Sequence, residues 1–387
     1  MADIKTHLRE LSVATTVGLL KQEIQFKKED LYNSKKFMEY AREVISGDIS
    51  SANNIEDVSI FSGELRTIID NGYKLGKTIY ESTYFKIDKN DIITWQGNNT
   101  QKEDPIDITI GNYAFSLKEE SFILENMGLY KLLNCYTGSN YTKRHIFNDY
   151  ARNEYEIWFD TTWQELLTTL KSNNCIWSYE NKVKHKNSQI TLKDNNVILE
   201  YFQNSSLIAK SILPINCTLT DFENITSSKT REHVFSKFIN QNLENNINYN
   251  KAKKNCAIVA SDALADELTK NLNYHAGLPR FFRIHTQEYY YAKTTNSEIT
   301  ILKVPNIQSF GNDIIIESIK GSVPDKQANI LTTIKNTKTN QTLVIRNECR
   351  FSHGQFNGTP EAKMYYERGG SLDIIYERII IDDTTTE

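Results

Sequence analysis

The chain lacks the long hydrophobic segments that mark membrane proteins. Its 387 residues contain no run of about eighteen apolar residues, so a transmembrane helix is not expected. The N-terminal residues carry charges on both sides of a short apolar stretch and show no signal-peptide cleavage pattern. We therefore expect a cytoplasmic protein.

The common disulfide, metal and nucleotide patterns are also missing. The five cysteines are odd in number and scattered without a CxxC pair, which argues against a disulfide framework and a zinc ribbon. The seven histidines show no HxH or HExxH spacing, so a histidine-based metal site is not expected. No GxxxxGK(S/T) loop is present, which argues against an ATP-driven motor.

Proline and glycine are scarce, at 6 and 16 residues, which excludes a low-complexity or collagenous chain. The 17 Phe, 21 Tyr and 4 Trp residues supply ample material for a hydrophobic core. A chain of this length is expected to form two domains, or one large domain with elaborations. The formal net charge of −4 does not by itself indicate a polyanionic partner.

Hydrophobic patterning predicts a helical N-terminus followed by a mixture of strands and helices. The expected helices cover residues 3–26, 28–46, 61–80, 121–135, 158–171 and 260–271. The expected strands cover residues 189–192, 197–202, 281–292, 298–304, 313–319 and 342–351, with further strands and turns over 83–118. The predicted fold class is α/β (α+β). An Asn-rich region at 240–255 is the expected boundary between a first domain at 1–250 and a β-rich second part at 251–387.

The segment from 104 to 120 is the most informative part of the chain. Gly111-Asn112 lies between two alternating runs and is typical of a two-residue hairpin turn. This turn pairs residue 110 with 113, 109 with 114, 108 with 115 and 107 with 116. Since side chains alternate between faces, one face of the hairpin is apolar. The other face carries Asp107, Ser116, Lys118 and Glu120.

This polar face has the residue types of a magnesium-dependent hydrolytic site. Asp107 is expected opposite Ser116 and diagonal to Lys118, within reach of a long side chain. A carboxylate beside an ammonium group, with a further carboxylate nearby, can hold Mg²⁺ and activate a water molecule against a phosphodiester. The other interpretation is an ordinary exposed hairpin in which Lys118 pairs with a neighbouring carboxylate.

The arrangement resembles the PD-(D/E)xK nuclease superfamily, which has Asp on the first strand of a hairpin and (D/E)-x-Lys on the second. Asp104-Pro105-Ile106-Asp107 is similar to the first half of the motif, and Ser116-Leu117-Lys118 to the second, with Ser in place of the acid. The resemblance implies a mixed β-sheet core flanked by helices. It also implies that Asp107 is the principal metal ligand and that Lys118 positions or activates the attacking water, while Ser116 neighbours the metal.

Because Ser116 stands where the motif has an acid, another residue must supply that carboxylate, and the sequence offers two candidates. Glu120 lies on the same face if the strand continues. The family commonly carries a glutamate on a helix before the hairpin, and Glu64 is expected on the apolar side of such a helix. We therefore expect Glu120 or Glu64 to complete the metal site.

Within this superfamily, a chain of this size with one motif most resembles a type II restriction endonuclease. The resemblance implies Mg²⁺-dependent, sequence-specific cleavage of double-stranded DNA, and a homodimer because many such enzymes dimerise to cut both strands. Two rivals remain. One is a structure-specific repair or recombination nuclease of the same superfamily, and the other is a non-catalytic binding or phage-structural protein.

The C-terminal part offers candidate DNA contacts. Arg346 and Arg350 are expected on one strand face with Glu348, and the following loop carries further polar side chains at His353, Gln355 and Asn357. Such side chains can hydrogen-bond base edges or phosphates. The alternative is a strand with an internal ion pair followed by a turn. Short basic clusters such as 251–254 would contact phosphates or lie in solvent.

Overall fold

The computed structural model describes most of the chain. The described residues are 4–97, 105–118, 123–138, 145–273, 279, 282–284, 286–295, 298–311, 313–366 and 372–379. The chain forms two compact units, and both are discontinuous in sequence. Unit 1 comprises Met1–Phe122, Phe282–Ile314 and Ser371–Glu387, and unit 2 comprises Ile123–Phe281 and Ile315–Gly370.

Ten α-helices are assigned within the described residues. In chain order they are α1 Ile4–Lys21, α2 Ser34–Val44, α3 Glu64–Glu81, α4 Leu129–Thr137, α5 Ile146–Tyr150, α6 Arg152–Ser172, α7 Leu219–Ile225, α8 Ser228–Thr230, α9 Ser236–Asn242 and α10 Ile247–Lys270. Short 3₁₀ helices cover Lys28–Tyr32, Ser50–Asp57 and Leu372–Ile374, and a π-helical turn covers Arg231–Phe235.

The described strands form three sheets. In chain order they are β1 Ile93–Trp95, β2 Ile108–Ile110, β3 Tyr113–Lys118, β4 Ile123–Gly128, β5 Ile176–Asn181, β6 Lys186–Lys193, β7 Asn196–Gln203, β8 Ser206–Pro214, β9 Tyr289–Thr294, β10 Ile299–Val304, β11 Ile314–Ser322, β12 Ala328–Asn336, β13 Thr342–Arg350, β14 Glu361–Tyr366 and β15 Glu377–Ile379. The strand orders are β1-β2-β3-β9-β10-β15, β11-β12-β13-β14-β4 and β5-β6-β7-β8.

The first of these sheets belongs to unit 1 and is mixed. Strands β1, β2 and β3 form an antiparallel meander, and β3 then pairs in parallel with β9. The predicted register of the β2–β3 hairpin is confirmed, with Ile108 opposite Phe115 and Ile110 opposite Tyr113. Gly111 has φ +54°, the positive value that the tight turn requires.

Helix α1 is packed tightly against α3. Two glycines of α3 make this approach possible, because a Cβ on Gly72 would overlap the Ser12 hydroxyl and one on Gly76 would lie 2.9 Å from the carbonyl oxygen of Val13. Nearly every residue of α1 from His7 to Leu19 is buried. The helix is therefore a core element of unit 1 and positions its side chains within narrow limits.

Unit 2 combines two antiparallel sheets with helices α4 to α10. The predicted hairpin at 189–202 is confirmed as β6 and β7, and its turn residues Asp194 and Asn195 both have positive φ. The core of this unit is rich in aromatic rings, among them Trp158 and Phe356, whose centroids are 4.6 Å apart. In the Asn-rich region, the Asn246 side chain accepts a hydrogen bond from the Tyr249 amide and caps α10.

Three sequence expectations are wrong. The boundary after residue 250 falls inside α10, so the division into 1–250 and 251–387 does not match the two units. The helix expected at 121–135 is a strand over Ile123–Gly128 and becomes helical only from Leu129. The helix expected from residue 61 begins only at Glu64, directly after Gly63 with φ +55°.

The predicted fold class is confirmed. The protein is a mixed α+β structure with a helical N-terminus, a mixed sheet and a strand-rich C-terminal part. Among the residues that the structure describes, no helix has both the length and the apolar character needed to cross a membrane.

Candidate functional site

Asp107 lies immediately before β2, and backbone hydrogen bonds hold it on both sides. Its amide donates a hydrogen bond to the Phe115 carbonyl at 2.8 Å, and its own carbonyl accepts one from Gln96 at 2.9 Å. The Asp107 side chain turns toward β3, where its Oδ2 accepts a hydrogen bond from the Leu117 amide at 2.6 Å. The backbone thus fixes the carboxylate in one orientation.

Ser116 and Lys118 meet the same carboxylate oxygen. The Ser116 hydroxyl lies 3.4 Å and the Lys118 Nζ 3.5 Å from Asp107 Oδ2. The predicted proximity of these three side chains is confirmed. Since Asp107 and Lys118 are both half-buried, their ion pair is less screened than one in open solvent.

The hairpin is more buried than the alternative interpretation expected, although Lys118 does pair with a neighbouring carboxylate, as that interpretation also expected. The four residues from Ala114 to Leu117 are all buried, so both faces of β3 are covered. Strand β3 is a central strand of the sheet, because it pairs with β2 on one side and β9 on the other. Charged groups beside a buried central strand are normally paired, as Asp107 and Lys118 are here.

A third ionisable side chain approaches this pair from helix α1. Glu10 is only 6% exposed, and its Oε2 accepts a hydrogen bond from Trp95 Nε1 at 2.6 Å. Trp95 lies on β1, and His7, one helical turn before Glu10, packs edge-on against its ring with centroids 5.3 Å apart. Two residues of α1 therefore anchor the Trp95 side chain, and this contact orients the Glu10 carboxylate.

The charges of Asp107 and Lys118 both act on Glu10. Burial, and then the negative charge of Asp107, raise its pKa to about 8, while the Trp95 hydrogen bond and the positive charges of Lys118 and Arg9 lower it. With its pKa at about 8, Glu10 is mostly protonated at neutral pH, and a bound cation would favour its carboxylate form. A cation between the carboxylates would relieve their mutual repulsion.

A small cavity adjoins Lys118. Its volume of about 10 Å³ is just enough for one water molecule, and Arg9, Asn71 and Thr294 line it together with Lys118. The Thr294 hydroxyl is buried. Apolar residues, among them Val13, Ile68 and Leu117, form most of its surface, so the cavity gives Lys118 little polar support.

Of the two glutamates expected to complete the site, one is misplaced. Glu64 is the first residue of α3, and its side chain is 66% exposed in an ion pair with Lys5 at 2.6 Å. The expectation of Glu64 on a buried apolar face is therefore wrong, because the helix begins at this residue and its buried face starts at Ile68. Glu120 lies outside the described residues.

The donor set of the cluster suits Mg²⁺. Magnesium prefers oxygen ligands and is usually bound by one or two carboxylates together with water and substrate phosphate. Glu10 and Asp107 supply two such carboxylates from a rigid helix and a rigid hairpin. Within the described ranges, no group of three His, Cys, Asp or Glu side chains could hold a metal ion, so substrate or water oxygens would have to supply the other ligands.

Glu10 was not predicted from the sequence, because the helical glutamate was expected on the helix that comes just before the hairpin. The signal was present, since Glu10 stands between Leu8 and Leu11 in a helix that is buried on most of its surface. A carboxylate at such a position is rarely placed there without a partner. Its partners, Trp95 and Asp107, are 85 and 97 positions away in the chain, and no local pattern points to them.

The predicted DNA contacts belong to unit 2. Arg346, Glu348 and Arg350 do share one face of β13, with both guanidinium groups 3.9 Å from the Glu348 carboxylate. The Arg346 guanidinium also lies over the ring of Tyr365 at 4.6 Å. Both arginines are half-buried and keep part of their surface accessible.

The loop after β13 divides its polar side chains between surface and interior. His353 is exposed, and its Nδ1 lies 4.0 Å from the Glu232 carboxylate. Asn357 is only 8% exposed, accepts a hydrogen bond from the Ser228 hydroxyl and donates one to the His353 carbonyl. Asn357 therefore holds the loop together and does not face a base edge, and Gln355 is also partly buried with its Oε1 enclosed.

Comparison with known proteins gives no further assignment, since no family model, no curated protein and no solved structure matches the chain.

Proposed function

We propose that the protein is a Mg²⁺-dependent endonuclease that hydrolyses double-stranded DNA at specific sequences, with the character of a type II restriction enzyme. One observation carries the proposal. Asp107 and Lys118 meet across a hairpin, with Lys118 Nζ 3.5 Å from Asp107 Oδ2, and their charges act on Glu10, which lies on a helix 97 positions before Asp107. A helical glutamate before the hairpin is what the PD-(D/E)xK resemblance implies.

Glu10 and Asp107 are the residues that would hold the metal ion. When bound, Mg²⁺ supplies charge stabilisation to a phosphodiester and lowers the pKa of a coordinated water. The protein's own contribution is orientation: Trp95 fixes the Glu10 carboxylate, and the Leu117 amide fixes that of Asp107. Glu120 stays a candidate for a further ligand.

Lys118 has a distinct role in the proposed reaction. Its ammonium group would orient the attacking water and offset the negative charge that develops on the phosphate oxygens. The hydrogen bond to Asp107 keeps Lys118 pointed at the metal-binding carboxylate. Ser116 would also hold Asp107, since its hydroxyl donates a hydrogen bond to the same carboxylate oxygen that Lys118 contacts.

Recognition of DNA is assigned to unit 2 in this proposal. Arg346 and Arg350 would contact phosphates or guanine edges, with His353 as a further exposed contact. The net charge of −4 requires that such a surface be local, with the remaining surface acidic, so non-specific DNA binding should be modest and sensitive to salt. Cytoplasmic location and a homodimer belong to the same proposal.

Plasmid cleavage tests the proposal directly. The wild-type chain should convert supercoiled plasmid to discrete linear fragments with Mg²⁺ and leave it intact with EDTA. Lys118→Ala should slow cleavage by at least about 100-fold, the range typical of losing a group that assists proton transfer. A Lys118→Ala protein that cleaves at the wild-type rate would overturn the assigned mechanism.

The same assay separates the proposed enzyme from its rivals. A structure-specific nuclease would cut branched or flapped DNA and give no discrete pattern on a linear plasmid. A non-catalytic binding protein would retard DNA in a gel without cutting it, and its retardation would not depend on Lys118.

A further inference from the structure

One imidazole of unit 2 lies among three lysine side chains that come from separate elements. His233 belongs to the π-helical turn after α8, and the lysines are Lys186 on β6, Lys229 on α8 and Lys237 on α9. Burial lowers the pKa of His233, and the positive charges of all three lysines lower it further, against the opposing charge of Glu232. Three positive charges therefore act at one place on the surface.

The sheet packed against His233 holds this residue in place. The imidazole ring lies against the ring of Tyr201 on β7 with centroids 4.4 Å apart, and the His233 carbonyl accepts a hydrogen bond from the Ser188 hydroxyl at 2.7 Å. Single π-helical turns within helical segments occur frequently at functional sites. The His233 side chain keeps 25% of its surface exposed, so it is fixed and yet accessible.

Lys229, His233 and Lys237 form a row along the helical segment 228–242. They are spaced four residues apart, which places their side chains on the same side of a helix. The eight positions from first to last span about 12 Å. Both lysines of the row are exposed, and Lys237 Nζ lies 5.7 Å from the centre of the Tyr179 ring. Together with Lys186 this row is called the lysine surface.

The lysine surface carries a local excess of positive charge. In the part of the chain that the structure describes, none of its three lysines forms an ion pair. Two more exposed lysines, Lys182 and Lys184, lie in the turn between β5 and β6. One acid, Glu232, lies at this surface, and its Oε1 is 4.0 Å from Nδ1 of both His233 and His353. The surface is therefore basic although the whole chain has a formal charge of −4.

An extended row of positive charge suits the backbone of a nucleic acid duplex. B-DNA carries one negative charge per about 1.7 Å of helix axis, so about 12 Å of duplex presents about seven phosphates. A single phosphate ion would occupy only one point of the row. Lysines that contact phosphates position a protein on DNA without reading the bases. The lysine surface therefore suits the backbone of double-stranded DNA better than a small anion.

We propose that Lys186, Lys229 and Lys237 bind DNA phosphates and hold the duplex against unit 2 independently of its sequence. These residues are distinct from Arg346 and Arg350 of β13, to which the proposed function assigns recognition. The inference takes its partner, double-stranded DNA, from the proposed function but requires no metal ion and no cleavage. A chain that binds DNA through this surface without cutting it would support the inference and contradict the proposed enzyme.

Binding to DNA without magnesium tests the inference on the full chain. In EDTA, a fluorescein-labelled duplex of arbitrary sequence should bind the wild type with an affinity that falls as salt is raised. The triple variant Lys186→Gln, Lys229→Gln and Lys237→Gln should bind at least about tenfold more weakly at low salt, and the slope of log K against log salt should fall by about 3. A duplex of different sequence should show the same loss, because phosphates carry no sequence information.

A matched triple variant separates a local effect from a change in net charge. Lys171→Gln, Lys251→Gln and Lys254→Gln remove three exposed lysines from α6 and α10, and this protein should bind the duplex like the wild type. Far-UV circular dichroism and melting temperature establish that both variants are folded.

Four results would overturn the inference. They are a wild type that does not bind the duplex in EDTA, a first variant that binds like the wild type, an equal loss of affinity in both variants, and displacement of the duplex by polyglutamate as readily as by unlabelled DNA. The last result would assign the surface to an acidic protein. Plasmid cleavage with Mg²⁺ decides the proposed function separately, because the binding assay contains no metal ion.

Discussion

The carboxylate of Glu10 accepts a hydrogen bond from the indole of Trp95 at 2.6 Å, across 85 positions of sequence. This contact links the N-terminal helix to the first strand of the mixed sheet, beside the hairpin that carries Asp107 and Lys118. It gives a buried acid a fixed orientation. The candidate site therefore depends on tertiary packing between a helix and a sheet as much as on the hairpin motif.

The choice between Glu10 and Glu64 can be decided by matched substitutions. Glu10→Gln should lower the rate of plasmid cleavage by more than about 100-fold, because loss of a direct metal ligand exceeds the 10–100-fold effect typical of outer-shell changes. Glu64→Gln removes only an exposed partner of Lys5 and should cleave at the wild-type rate. The reverse pattern would show that the helical acid has been assigned to the wrong residue.

Metal binding should be visible without any DNA. If Mg²⁺ binds only the folded protein, it stabilises that state by about 2.7 kcal/mol at a hundredfold excess over Kd. We expect Mg²⁺ to raise the melting temperature of the wild type by a few degrees relative to EDTA. Asp107→Asn keeps an acceptor for the Leu117 amide but loses the charge, so its melting temperature should not respond. An equal Mg²⁺ response in both proteins would place the ion elsewhere.

The approach of α1 to α3 should be sensitive to a single methyl group. Gly72→Ala places a Cβ against the Ser12 hydroxyl, and overpacking of this kind typically destabilises by about 1–3 kcal/mol. Because α1 also carries Glu10, cleavage should fall as well. Urea unfolding measures the loss of stability.

A double-mutant cycle provides the control for this effect. Ser12→Gly removes the group that the new methyl would meet, so the double variant should be less destabilised than the sum of the single variants. Simple additivity would mean that the two side chains do not clash.

The stability of unit 2 should depend on pH through His145. Burial holds its pKa down at about 4, compared with an ordinary value of 6.5. The unfolded chain therefore binds the proton first as the pH falls, and the free energy of unfolding decreases between pH 6.5 and 4. The full shift corresponds to at most about 3 kcal/mol.

His145→Asn tests this contribution, because asparagine still accepts the hydrogen bond from the Asn148 amide but does not titrate in this range. The free energy of unfolding of this variant should change less between pH 6.5 and 4 than that of the wild type. The exposed His353→Asn serves as the control and should retain the wild-type pH dependence.

The DNA-binding assignment predicts a change in salt dependence. If Arg350 contacts a phosphate, Arg350→Ala should weaken binding to all sequences and reduce the slope of log K against log salt by about 1. If Arg346 reads a base, Arg346→Ala should instead lose about 1–3 kcal/mol of discrimination at one position. Gel retardation at several salt concentrations distinguishes the two, and unchanged binding in both variants would remove β13 from the DNA interface.

Local sequence determined the hairpins of this protein. A positive φ at Gly111 and at Asp194 and Asn195 is favoured by those residue types themselves, and the period-two alternation of side chains then sets the register. The contact of Asp107 with Lys118 follows from that register, since the two residues are eleven positions apart on paired strands. These features need no information from the rest of the chain.

Tertiary structure alone decided which distant strands pair and which acid lies near Asp107. Strand β3 pairs with β9, although about 170 residues, which form most of unit 2, separate the two strands in sequence. No turn or periodicity in the sequence predicts this pairing. The acid that joins Asp107 was decided in the same way. Helical periodicity places Glu64 on the apolar side of α3, but it lies in the first turn of the helix and is exposed to solvent. The glycines of α3 allow α1 to pack closely, and α1 carries Glu10 into the core. Local propensity determines neighbours along the chain, whereas packing of distant segments determines which charges share one buried site.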